Sequence, residues 1–340
     1  MSEADVAMPP PPITVLPWHA GALERLRTAV VSGRLPHAVL VQGPAGVGKE
    51  FFASALGAAI LCTGRGEALE ACGRCPECGL YLARSHPDLH WVRPEEDRRT
   101  IGVDQVREVC ERLAMTSLRR GARIAVFAPA EAMTPSAQNA LLKTLEEPAA
   151  RTLMVLVAAR PSRLLATLRS RCQRLEMPCP SAAEATAWLA AATGAAVPAG
   201  LLDASGGAPL RALGLAPHYA DLDAEMSGLL EAVVTGRAEA CGAAARMMGD
   251  GLPHRLDWFE GWLTRAIRAR AVPTGTSLTV PRAPLLQRGA AELNIGAAFR
   301  LLDRIREVRR LLEGSAAAQL LLESLIVETA GALGRRGQAG

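Results

Sequence analysis

Apolar residues follow two regimes along this chain. Up to about residue 180, short apolar runs alternate with segments of helical periodicity; beyond it the runs vanish and a period near 3.6 remains. The runs at 38–42 (AVLVQ), 123–128 (RIAVFA) and 153–158 (LMVLVA) read as buried strands. Helices are predicted over 22–32, 49–62, near 103–114 and over 135–147, with a polar, cysteine-rich excursion at 63–79. Alternating strands and helices predict a parallel sheet covered by helices on both faces. From Ser181 onward nearly every segment reads as helix: two or three short ones over 181–215, a break at Ala216-Pro217, a loop near 272–284, and apolar stripes over 299–313 and 317–333. There is no internal repeat.

Composition agrees. With 340 residues, 49% of them hydrophobic, the chain can bury a sizeable core, and 4% aromatics beside abundant Ala and Leu favour helix over sheet. A net charge of +4 leaves any nucleic-acid contact to a local patch or to partners. The first 18 residues are acidic and proline-rich, an extended arm unlike a secretory leader. No apolar run approaches membrane-spanning length. A cytoplasmic, non-membrane protein is expected, in which the eight cysteines point to metal binding ahead of disulfides.

Gly43-Pro44-Ala45-Gly46-Val47-Gly48-Lys49 fits GxxxxGK between a strand and a helix, the setting in which backbone amides surround a phosphate. Gly43, Gly46, Gly48 and Lys49 are the candidate nucleotide-binding residues. The next position, which supplies a hydroxyl to Mg²⁺ in an active site, is Glu50. The strand that should end in a metal-holding acid ends in Ala128-Pro129. Glu131 reads as a solvated loop residue. Two separate losses predict that ATP hydrolysis is abandoned; retention of Lys49 leaves ATP binding open.

Cys72, Cys75 and Cys78 stand at CxxCxxC spacing, and Cys62, closing the preceding helix, can fold over as a fourth ligand. Four thiolates suit a closed structural Zn²⁺ site, and nothing suggests the electron transfer of an iron–sulfur cluster. His86 is read as a packing or surface histidine. Cys110, Cys172, Cys179 and Cys241 lack ligand spacing and read as buried small apolar residues.

Asn139-Ala140-Leu141-Leu142-Lys143-Thr144-Leu145-Glu146-Glu147-Pro148 followed by Ser170-Arg171-Cys172, with Leu35-Pro36-His37-Ala38 and the four-cysteine insertion, resembles the bacterial DNA polymerase III clamp-loader subunits. Decay at Glu50, Ala128 and Pro129 resembles the delta-prime type and not the tau/gamma motor. The likeness implies a AAA+ α/β P-loop domain over 1–178 carrying a four-cysteine zinc module at 62–78. A helical lid over 179–216 and an all-α collar over 217–335 would follow it. It implies tau/gamma and delta as partners, and contact with the sliding clamp and primed DNA through the complex. In the Ser-Arg-Cys motif it makes Arg171 an arginine finger acting in trans on a neighbour's ATP site, with no ATPase activity of the chain's own. Arg211 stands where a sensor-2 arginine would be expected. The rival readings are a tau/gamma-like motor rescued by Glu50 and Glu131, and a zinc-containing nucleic-acid-binding module, which lacks a basic, aromatic face around the cysteines.

Overall fold

The computed structural model describes residues 13–333, apart from 34, 97, 120, 250, 272–293 and 313–316. Most of the expected N-terminal arm and the loop near 272–284 lie outside the described residues. The chain divides into two compact units, Met1–Cys179 and Pro180–Gly340.

The first unit is built on five parallel strands, β1 (Ala38–Gln42), β2 (Leu89–Val92), β3 (Arg123–Phe127), β4 (Thr152–Ala158) and β5 (Gln173–Glu176), in the order β2-β3-β4-β1-β5. The predicted apolar runs became β1, β3 and β4, the three inner strands, where both faces are covered and every residue of β3 and β4 is buried. Among the described residues six helices accompany the strands: α1 (Ala20–Val31), α2 (Lys49–Leu61), α3 (Pro76–Leu82), α4 (Val103–Ala114), α5 (Pro135–Glu146) and α6 (Ala166–Arg169). The α5 start is fixed locally, because the Thr134 hydroxyl accepts the Ala137 amide and Pro135 occupies the first turn. Leu141 and Leu145 of α5 point into the core beneath the sheet, with Leu113 and Val106 of α4, while Lys143, Glu146 and Glu147 lie toward the surface.

Register decides where chemistry can sit. β1 and β4 pair from Ala38↔Met154 to Gln42↔Ala158, and β5 ends against β1 at Gln42↔Glu176. The carboxyl ends of these strands therefore meet around residue 43, the usual position of a ligand site in an open parallel sheet.

The second unit is helical: α7 (Ala182–Thr193), α8 (Leu201–Ala204), α9 (Pro209–Leu215), α10 (Tyr219–Val234), α11 (Ala240–Met247), α12 (Leu252–Ala271), α13 (Ile295–Leu312) and α14 (Ala318–Leu333). The Ser181 side chain accepts the Glu184 amide to start α7, and Gly194, in the left-handed conformation, ends it. One apolar cluster gathers residues from Leu189 to Ile326, centred on Trp258, Phe259 and Trp262 of α12. The Trp258 indole N–H donates to Asp223 at 2.8 Å, which satisfies the polar edge of a fully buried ring.

Candidate functional site

The 43–49 loop joins β1 to α2 at the carboxyl edge of the sheet. Glycine is required at Gly43 because a Cβ there would lie 2.1 Å from the Met177 carbonyl oxygen. Gly46 and Gly48 adopt left-handed φ values of 81° and 86°. Lys49 is buried, and its ammonium donates to the Pro44 carbonyl at 2.6 Å. Burial lowers its pKa, opposed by the charges of Glu131 and Glu50.

The loop is also held from behind. The Trp18 indole N–H donates to the Val47 carbonyl at 2.9 Å, and His19 Nε2 lies 2.8 Å from the same oxygen. His19 is fully buried, edge-on to both Trp18 and Phe52. Burial lowers its pKa, so the ring is neutral and Nε2–H is the donor. Nothing in the sequence pairs residues 18 and 19 with residue 47.

Glu50 faces away from the loop's interior. Its carboxylate accepts from Arg93 at 2.7 Å, and Arg93 stacks over Trp91, 4.8 Å from the ring centroid. At the end of β3, Ala128 is buried and Pro129 follows, so no carboxylate stands at the strand end. The expectation for Glu131 is corrected: it is not a solvated loop residue. One carboxylate oxygen accepts the Ala159 and Arg160 amides at 2.9 and 3.1 Å, and the other is buried. Glu131 caps the end of β4, a role dictated by the amides that the strand leaves unpaired.

The four predicted cysteine ligands converge. The Sγ atoms of Cys62, Cys72, Cys75 and Cys78 all lie within 4.8 Å of one another, and Cys62 and Cys75 are 3.8 Å apart. A tetrahedral site with metal–sulfur bonds of about 2.3 Å requires sulfurs about 3.8 Å apart, so the donor set fits a closed four-thiolate centre. The Cys72 amide points at Cys62 Sγ at 3.3 Å and the Cys78 amide at Cys75 Sγ at 3.4 Å, contacts that favour thiolate. Tyr81 of α3 donates to the Ser54 carbonyl of α2 at 2.6 Å, seating the cysteine module on the P-loop helix.

His86 stands apart from the cluster, as expected of a packing residue. Its Nδ1 accepts the Asp88 amide, so Nε2 carries the proton and donates to Glu77 at 3.0 Å. Among the other cysteines Cys172 is buried and Cys110 and Cys179 are half-buried, but Cys241 is exposed. It sits in the first turn of α11 beside Gln319, correcting the expectation of a buried residue.

Arg171 follows α6 at the surface, donating to Glu146 at 2.6 Å and to the Thr167 carbonyl at 2.9 Å. Arg211 lies in the second unit, where it pairs with Asp257, which Arg309 shares. No helix among the described residues is long and apolar enough to cross a membrane.

Residues 18–181 match the family described as DNA polymerase III, delta subunit. Over 262 residues the chain is 37% identical to DNA polymerase III subunit delta' of Pseudomonas aeruginosa, covering 75% of this chain and 77% of that protein. The Yersinia pestis subunit delta' is 32% identical over 80% of this chain and 82% of its own length. That of Escherichia coli is 40% identical over 51% of this chain and 52% of its own length. With a relative this similar over three quarters of both lengths, the chain belongs to the DNA polymerase III subunit delta' family.

Proposed function

We propose that this chain is a delta-prime-like, non-hydrolysing AAA+ subunit of the replicative clamp loader. In this reading it helps load the sliding clamp onto primed DNA in the cytoplasm, beside tau/gamma and delta subunits. The observation that carries it is a phosphate loop with its glycine geometry intact facing a strand that ends in Ala128-Pro129. Without an acid there, Mg²⁺ has no strand-end ligand and the attacking water no polarising group. The motor reading is weakened because its two substitute carboxylates already hold other partners, Glu131 through one oxygen on the Ala159 and Arg160 amides and Glu50 on Arg93.

Arg171 is the residue offered to a neighbour. A guanidinium held at the surface by one exposed carboxylate and one carbonyl can exchange those partners for a γ-phosphoryl group, whose charge grows during transfer. The four cysteines hold structural Zn²⁺, which supplies a rigid cross-link and no chemistry. Residues 179–216 form the lid, and residues 217–335 the collar that joins the ring.

The test combines the purified chain with ATP and Mg²⁺, then with its tau/gamma and delta partners and primed DNA. The isolated chain should release no phosphate, and Arg171→Ala should lower turnover of the assembled complex while leaving assembly intact. Phosphate release by the isolated chain that disappears in Lys49→Ala would overturn the assignment.

A further inference from the structure

Glu77 lies inside the cysteine motif, between Cys75 and Cys78, yet its carboxylate faces away from the sulfurs. It is buried, receives Arg119 at 2.8 Å and 3.2 Å on one oxygen, and receives His86 Nε2 at 3.0 Å on the other. Arg119 belongs to the segment that follows α4. That segment is gripped a second time by buried Asp88, which accepts the Ser117 hydroxyl at 2.8 Å and the Leu118 and Arg119 amides at 3.0 Å each. The Asp88 amide returns to His86 Nδ1 at 3.2 Å. One connected polar network therefore runs from the cysteine motif to residues 117–119. Leu118 among them stands 76% exposed to solvent.

We propose that Glu77 is a positioning residue through which metal held by the cysteine cluster fixes residues 117–119, so that metal occupancy sets how Leu118 is displayed. The inference rests on the zinc reading above. With metal bound, α3 is pinned at Cys75 and Cys78, and Glu77, one residue from Cys78, cannot move relative to the cluster. With metal removed, the α3 start loosens and the Glu77–Arg119 pair separates, leaving residues 117–119 to Asp88 and to the Gly121 amide on the Ser117 hydroxyl.

The full-length chain, loaded with Co²⁺ in place of zinc, tests this. The cobalt–thiolate absorption reports occupancy and amide hydrogen exchange reports the segment. Chelation should speed exchange at Leu118 and Arg119 by about tenfold, the loss of one charge-assisted bond, while the β3 amides stay protected. Glu77→Gln should do the same with the cobalt spectrum unchanged, and Arg119→Lys should fall between the variant and the native chain. Unchanged exchange after cobalt is lost, or unchanged exchange in Glu77→Gln, overturns the relay. So does deprotection of β3 on chelation, which would make the metal a prop for the whole domain, or loss of cobalt from Glu77→Gln, which would place Glu77 in the metal site itself. A chain that takes up no cobalt overturns the zinc reading and the relay together.

Discussion

Arg171 and Glu146 meet at 2.6 Å, joining the second residue beyond α6 to the last turn of α5. Both side chains are substantially exposed, 36% and 52%, so the pair contributes little to the fold, within about 1 kcal/mol. Its importance is where it holds the guanidinium. Glu146→Gln should leave the urea midpoint almost unchanged and should not lower turnover in the assembled complex, because it removes a competitor for Arg171. A stability loss above about 3 kcal/mol would show that the pair is structural, since exposed pairs do not contribute that much.

A second prediction follows from His19. Its folded pKa lies below the ordinary value of 6.5, because burial disfavours the charged ring. A depressed base binds fewer protons folded than unfolded, so its contribution is fully present above pH 6.5 and is lost as pH falls through the folded pKa. Thermal stability should therefore decline on acidification below pH 6.5. His19→Gln, whose amide N–H can still donate to the Val47 carbonyl, should flatten that decline while keeping most of the stability at neutral pH. A slope unchanged in the variant would assign the acid sensitivity to other groups.

What was legible in the sequence was whatever is buried on both sides. β1, β3 and β4 announced themselves as apolar runs, and their bounds fell within a residue or so of those expected. The edge strands did not: Leu89–Val92 is half-exposed over three of four residues, and Gln173–Glu176 buries Leu175 alone, so neither forms a run. Helix α3 was hidden in the polar excursion, although Cys75 capping the Cys78 amide and Pro76 in the first turn were signals for it. The cysteine ligands were readable because spacing alone brings them together. Glu131 on the β4 end and Trp18 on the loop were not, because both are set by contacts across 28 or 29 residues of chain.

Gly43 carries the third prediction. A methyl group there would press on the Met177 carbonyl, and that backbone is fixed because the Met177 amide donates to the Gln42 carbonyl at 2.8 Å. Gly43→Ala should lower unfolding stability by about 1–3 kcal/mol, the usual cost of overpacking against an unyielding neighbour. Urea denaturation followed by circular dichroism measures it. A neutral result would mean that β5 yields at its carboxyl end.

Glu50 separates the two defects of the nucleotide site. Its side chain is half-exposed and paired with Arg93, so replacing it disturbs the fold little. Glu50→Thr removes a negative charge one residue after Lys49 and supplies the hydroxyl that Mg²⁺ takes at this position in active sites. Affinity for MgATP should rise, by about tenfold if roughly 1.4 kcal/mol is recovered. Phosphate release should stay absent, since β3 still ends in Ala128-Pro129 and Glu131 still caps β4. Calorimetry and a phosphate assay on one sample separate the effects. Tighter binding without turnover would locate the loss of hydrolysis at the strand end, whereas turnover in the single variant would mean that Glu131 can leave the Ala159 and Arg160 amides and serve the metal.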